Sequence, residues 1–130
     1  MKNKTLTLII PAKNESESLP TVLNSLKKFN YNIIVSLNEN DHETIDSINN
    51  YKNIQILRQK VKGYGSALIE GVNACKTKYF CIFNADGSFD EIDLPKMLEL
   101  YYQSDFVFTS RYCLGGSSED DTIITYLGNQ

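Results

Sequence analysis

Short apolar runs alternate with helix-period segments along most of this chain, and that alternation restricts its fold more than any other feature. Leu6 to Ile10 is an apolar run ended by Pro11, and Leu19, Val22, Leu23, Leu26 and Phe29 then follow the i, i+3, i+4, i+7 spacing of a helix face. Pro20 falls in the first turn, where its missing N–H is harmless, and Asn14, Ser16 and Ser18 are candidate caps. The same grammar repeats: Ile33 to Leu37 reads as a strand, Thr44 to Tyr51 as a short helix carrying Ile45 and Ile48, and Ile54 to Leu57 as a strand. Ser66 to Cys75 then reads as a helix burying Leu68, Val72 and Cys75, followed by Tyr79 to Phe83 as the central strand. A helix from Leu94 to Tyr102, with Pro95 early and Leu98 and Tyr101 inward, leads to a strand at Phe106 to Thr109. Strands alternating with helices require right-handed crossovers, so the expected fold is α/β with a mostly parallel sheet.

The chain's 130 residues suit one domain with a real core. A net charge of -3 argues against a surface built to wrap nucleic acid. Cys75, Cys81 and Cys113 are an odd, scattered set, which predicts free thiols and a reducing compartment. A strand pattern begins almost at once with no apolar leader, and no run approaches the roughly 18 apolar residues of a membrane span. The expectation is a soluble chain of cytoplasmic character. Near the end, Ser117 to Asp121 is polar and acidic, then Ile123, Ile124 and Leu127 start an apolar helical face that stops at Gln130. This predicts a cut chain able to self-associate through that face.

The chemistry gathers in the loops that follow strands, which a parallel sheet brings to one edge. The run Tyr79-Phe80-Cys81-Ile82-Phe83 delivers Asn84-Ala85-Asp86-Gly87-Ser88. An unpaired carboxylate cannot enter a core, so Asp86 belongs where the strand surfaces. Asp86, Asn84 and Ser88 offer hard oxygen donors that suit Mg²⁺ or Mn²⁺ holding a diphosphate, though the same residues also favour a simple turn. Pro11-Ala12-Lys13-Asn14-Glu15 places a cation and an anion past the first strand. Lys60-Val61-Lys62-Gly63-Tyr64-Gly65-Ser66 is a basic, glycine-rich loop entering a helix whose N-terminus favours an anion. Ser110-Arg111-Tyr112 adds a planar, phosphate-binding guanidinium. The loop lacks the Gly-Lys-Ser/Thr ending of a P-loop and follows the third strand, which disfavours the usual dinucleotide fold. His42 reads as an exposed helix-start residue. Cations, a helix N-terminus and a metal-suited acid at one edge describe a diphosphate site.

Taken in order, Leu8-Ile9-Ile10-Pro11-Ala12-Lys13-Asn14-Glu15, Lys62-Gly63-Tyr64-Gly65-Ser66-Ala67-Leu68, Asn84-Ala85-Asp86-Gly87-Ser88 and Ser110-Arg111-Tyr112 resemble the motifs of family 2 glycosyltransferases with the GT-A fold. The branch they resemble is the dolichyl-phosphate mannosyltransferase-like enzymes, which move sugar from a nucleotide sugar to a polyprenyl phosphate. The resemblance implies that Pro11, Ala12, Lys13 and Glu15 hold nucleobase and ribose, with Leu37 and Asn38 contributing after the second strand. It implies Lys62, Gly63 and Gly65 near base and phosphates, Ala85 and Asp86 on the nucleotide sugar, and Asp86, Asn84 and Ser88 as metal ligands. Asp86 and Arg111 would be the catalytic pair. Two positions depart from the family: Asn38 stands where its turn is acidic, and Asn84 opens a metal motif that usually begins with Asp.

These readings assign residues 1–112 to a nucleotide-sugar-binding GT-A core and 113–130 to the start of an acceptor-side or membrane-proximal segment. The expected activity is metal-assisted, inverting transfer from a UDP- or GDP-linked sugar to a polyprenyl phosphate, at the inner face of a membrane in the full-length form. A sugar-phosphate nucleotidyltransferase, or a degenerate nucleotide-binding domain without catalysis, are the alternatives.

Overall fold

The computed structural model describes residues 3–110. The chain divides into two compact units, residues 1–91 and 92–130. In the first unit, the apolar runs form four strands: β1 (Asn3–Ala12), β2 (Tyr31–Leu37), β3 (Ile54–Arg58) and β4 (Tyr79–Ile82). They make one sheet in the order β3-β2-β1-β4, with every neighbouring pair parallel. The α/β expectation therefore holds: the sheet is open and parallel throughout, with helices in its connections. β1 and β2 are interior and almost wholly buried, with Leu8, Ile9, Ile10, Val35 and Leu37 at 0% exposure. Such strands read as continuous hydrophobic runs because both faces are covered.

β4 is not the central strand that its composition suggested. Among the described residues it pairs with β1 alone, in the register Leu8↔Cys81 and Ile9↔Ile82, and its side chains alternate between half-buried and exposed. An apolar run carries no mark of how many neighbours its backbone has. Cys81 is half-buried and Cys75 is too; both are free thiols, and burial pushes the Cys81 thiol up to about 11.

Three helices connect these strands: α1 (Ser18–Leu26), extended by a 3-10 turn over Lys27–Phe29, then α2 (His42–Ile48) and α3 (Tyr64–Ala74). α1 buries Leu19, Val22, Leu23 and Leu26, as its spacing predicts, but its N-terminus has no side-chain cap. Ser18 Oγ instead donates to the Glu15 carboxylate, and Leu19 N–H reaches the Glu15 carbonyl at 3.0 Å. Neither Asn14 nor Ser16 caps the helix: Asn14 takes a left-handed φ of 57° and turns the chain out of β1.

α3 also departs from expectation. It begins two residues before Ser66, and the residues it buries are Ala67 and Gly71, with Leu68, Val72 and Cys75 only half-buried. The helix packs against β1 and β2 so closely that a Cβ on Gly71 would lie 2.5 Å from Ile9 Cγ2. Small residues set this contact, which a search for large apolar residues misses.

The chain steps from β1 to β2 to β3, then returns past β1 to β4. Right-handed crossovers put α1 and α2 on one face and α3 on the other, so the connections diverge between β1 and β4. In an open parallel sheet that divergence opens a crevice at the strands' C-terminal ends.

In the second unit, α4 (Leu94–Tyr101) has Pro95 in its first turn, buries Leu94 and half-buries Leu98 and Tyr101. The strand expected at Phe106 to Thr109 is not formed among the described residues. Phe106 and Phe108 are exposed and stack on each other with ring centroids 6.3 Å apart, and Tyr102 is exposed as well. Alternating aromatics supply a strand-like pattern, but a strand needs a partner backbone. Arg111, Tyr112 and Cys113, and the apolar face of Ile123, Ile124 and Leu127, lie outside the described residues. No helix among the described residues is long and apolar enough to cross a membrane.

Replacing Gly71 by Val should destabilise the fold by about 2 kcal/mol, since overpacking against a buried strand outweighs the small gain in helix propensity. Urea denaturation checks this; a variant as stable as the parent would show that α3 can lift from Ile9 at no cost.

Candidate active site at the sheet's C-terminal edge

An open cleft of about 770 Å³ lies at the C-terminal ends of the strands, where the connections diverge. Its lining includes Pro11, Ala12, Lys13, Glu15, Asn38, Lys62, Gly63, Asn84, Ala85 and Asp86. Four loops separated by up to 75 positions in sequence thus converge on one hollow, as the parallel topology requires. Leu37 does not line it: the side chain is fully buried in β2, and its carbonyl accepts Gln59 N–H at 2.9 Å. Gly65 is exposed in the first turn of α3 and Ser88 is exposed beside Asp86; neither is among the lining residues, and Arg111 lies outside the described residues.

Backbone hydrogen bonds shape each wall. The first loop is tied to the start of α2: Asn14 N–H donates to Asp41 Oδ2 at 2.8 Å and Glu15 N–H to Thr44 Oγ1 at 3.0 Å. Asp41 is the N-cap of α2, its Oδ1 accepting Thr44 N–H at 3.3 Å, so one carboxylate both starts a helix and anchors the neighbouring loop. Asn38 Oδ1 accepts Asn40 N–H at 2.9 Å, which assigns the oxygen and leaves the amide nitrogen as the donor available to a ligand.

Lys62 and Gly63 lead into α3. Gly63 holds a φ of 119° that other residues rarely adopt, and no side chain caps the helix. The first intrahelical bond runs from Ala67 N–H to Gly63 O at 3.0 Å, so the N–H groups of Tyr64, Gly65 and Ser66 precede the ladder and the helix dipole favours an anion there. Lys13 and Lys62 form no ion pair among the described residues.

The Asp86 turn closes the cleft. Gly87, at φ 80°, lets Ser88 N–H fold back to Asp86 Oδ1 at 2.9 Å, and Asn84 Nδ2 donates to Ser88 Oγ at 3.0 Å. The Ser88 hydroxyl and then its backbone N–H hold the Asp86 carboxyl below the ordinary carboxylate range, so it is ionised at neutral pH. Asp86 and the Asn84 carbonyl oxygen together are hard oxygen donors with a single charge, a set that fits Mg²⁺ or Mn²⁺ when a ligand's phosphates and waters complete the shell. No group of three or more His, Cys, Asp or Glu among the described residues could hold a metal unaided.

The structure also brings in residues that were not singled out: Asn40, Asp41, Gln59, Tyr64 and Ala67 line the same cleft. Asp41 had a legible signal, an acid three residues before Thr44 at a helix start, which is a cap pattern. Tyr64 and Ala67 lie within the glycine-rich motif read in the sequence, whereas Gln59 had no signal, because its place depends on loop closure across the sheet.

An open parallel sheet with a cleft at its divergence point defines an open α/β domain whose crevice lies where such folds take their ligands. The profile described as "Glycosyl transferase family 2" matches residues 7–124, and the chain belongs to that family. It is 33% identical over 117 residues to uncharacterized glycosyltransferases of Mycobacterium tuberculosis and Mycobacterium bovis, covering 89% of this chain and 53% of each of theirs. It is 31% identical over 124 residues to a dolichol-phosphate mannosyltransferase of Pyrococcus furiosus, covering 88% of this chain and 35% of that one. The chain thus spans about half the length of the mycobacterial relatives and about a third of the archaeal one.

Two outcomes test this geometry. Asp41→Ala should cost about 1 kcal/mol through the lost cap and remove one of the two ties between the first loop and α2, as read by chemical denaturation and by exchange of the Asn14 amide. Ser88→Ala should raise the Asp86 pKa part of the way toward the ordinary Asp value, since the backbone N–H remains, as read by carboxyl NMR titration; an unmoved titration would mean that the Ser88 hydroxyl does not hold that carboxylate.

Proposed function

We propose that this chain is the nucleotide-sugar-binding part of a glycosyltransferase that moves a sugar from a UDP- or GDP-linked donor to a polyprenyl phosphate. The observation that carries the donor half is the convergence of Lys13, Lys62, the uncapped start of α3 and an ionised Asp86 on one cleft. The acceptor half rests on the dolichol-phosphate mannosyltransferase relative, about a third of whose length this chain spans, and the place of action in this reading is the cytoplasmic face of a membrane.

In this reading the first-loop residues Pro11 to Glu15, and the Asn38 amide, hold base and ribose. Lys62 and the first-turn N–H groups of α3 take the diphosphate oxygens, and Arg111 takes phosphate beyond the described residues. A divalent ion held by Asp86 and the Asn84 oxygen, with Ser88 beside them, would supply charge screening for the departing nucleoside diphosphate. An acceptor phosphate is already anionic at neutral pH, so it needs orientation more than a strong general base, in keeping with a single inverting displacement. The neutral Asn84, whose amide is spent on Ser88, favours one rival: a module that binds nucleotide and transfers nothing.

Calorimetry with UDP and GDP, each with and without Mn²⁺, tests the reading on this chain. At least one should bind, Mn²⁺ should tighten it, and Asp86→Ala should abolish the metal dependence while leaving the fold intact. In the longer protein the same substitution should slow transfer on the order of 10² to 10³ fold, by analogy with the loss of one preorganised electrostatic contact. Metal dependence unchanged in Asp86→Ala would place the ion elsewhere, and nucleotide binding without transfer by the longer protein would select the rival.

A further inference from the structure

Glu70 sits on α3 immediately before Gly71, outside the cleft lining, yet it reaches back to the loop that forms one wall of that cleft. Its carboxylate accepts Lys60 N–H at 2.9 Å on Oε2 and 3.1 Å on Oε1, and Val61 N–H at 3.0 Å on Oε1. From the other side Gln59 Nε2 donates to the Val61 carbonyl at 3.2 Å and the Gly63 carbonyl at 2.9 Å. The peptide unit is planar, so turning those two carbonyls onto Gln59 turns the N–H groups of Lys62 and Tyr64 the opposite way. Residues 60–63 are therefore held at two backbone donors and two backbone acceptors by two side chains.

The choice of partners is informative. Lys60 and Lys62 stand on either side of Val61, whose N–H this carboxylate accepts, yet Glu70 forms no ion pair with either among the described residues. Its charge is spent on main-chain N–H groups, which also hold its carboxyl below the ordinary Glu range. The loop is fixed while neither of its ammonium groups is drawn into an ion pair, the arrangement an anion site needs.

We infer that Glu70 is a positioning residue for the diphosphate subsite, acting through the Lys60 and Val61 N–H groups to hold the loop that carries Lys62 and leads into α3. This rests on reading the cleft as a nucleotide-diphosphate site. It makes a prediction of opposite sign to simple electrostatics. An acid near an anion site repels the anion, so removing a merely superficial Glu70 should tighten binding; removing a latch should weaken it, because the ligand must then order the loop.

The test uses the whole chain, as parent, Glu70→Ala and Glu70→Gln. Amide hydrogen exchange by NMR reads the loop, and calorimetry with UDP or GDP plus Mn²⁺ reads the subsite. In Glu70→Ala, exchange at Lys60 and Val61 should quicken about tenfold or more, β1 and β2 amides should keep their protection, and affinity should fall about tenfold. Glu70→Gln keeps one acceptor oxygen and should fall between. Unchanged loop exchange, or affinity equal to or tighter than the parent's, overturns the positioning role. A parent chain that binds neither nucleotide overturns the site reading itself, and with it this role.

Discussion

The closeness of α3 to β1 is the constraint on which the rest of the structure depends. At Gly71 there is no room for even one methyl group between the helix and Ile9, and Ala67, one turn earlier, is buried against the same sheet. That contact fixes where the helix begins, and its beginning forms one wall of the cleft beside the ends of β1 and β4. The neighbouring residue, Glu70, uses the same fixed helix to reach the preceding loop. Packing and site are one arrangement, expressed on adjacent residues of one helix.

The cleft is organised by carboxylates that bond to backbone rather than to cations. Asp41 takes the N–H groups of Asn14 and Thr44, Glu70 those of Lys60 and Val61, and Asp86 that of Ser88. Carboxylates used this way order loops without neutralising nearby lysines, which leaves Lys13 and Lys62 to a ligand. Glu70 and Asp86 both have depressed pKa values in the folded chain. The sign follows from linkage: their contribution is fully present above the ordinary carboxylate range and is lost only as pH falls through the lowered folded values. Near neutral pH both acids are ionised and the loops are held.

Much of this was legible in the sequence where large apolar residues decide the structure. The runs at Leu6 to Ile10 and Ile33 to Leu37, and the stripe from Leu19 to Leu26, announce buried strands and a helix because burial there is achieved by bulk. Where burial is achieved by smallness the signal disappears, so the inward face of α3 was assigned to Leu68, Val72 and Cys75 in place of Ala67 and Gly71. The Phe106 to Thr109 pattern has the alternation of a strand without forming one among the described residues, since alternation concerns side chains and pairing concerns backbones. The cleft-lining loops were found because parallel strands deliver their loops to one edge. The cap role of Asp41 was legible, but its hold on Asn14 and the reach of Glu70 to Lys60 and Val61 depend on proximity that only the folded chain creates. Nothing in the sequence marks the side-chain bonds of Gln59 to its own loop.

The central proposal is that a nucleoside diphosphate occupies the C-terminal edge of this sheet, where the connections diverge between β1 and β4. Two-dimensional ¹⁵N NMR during titration of this chain with GDP or UDP and Mg²⁺ addresses it most directly, since it locates the ligand without assuming an acceptor. The account predicts shifts confined to the amides of residues 12–15, 38–41, 59–67 and 84–88, with Lys27, Lys52 and Lys76 at the opposite edge unmoved. Saturable shifts centred on that opposite edge, or spread over both, would contradict it.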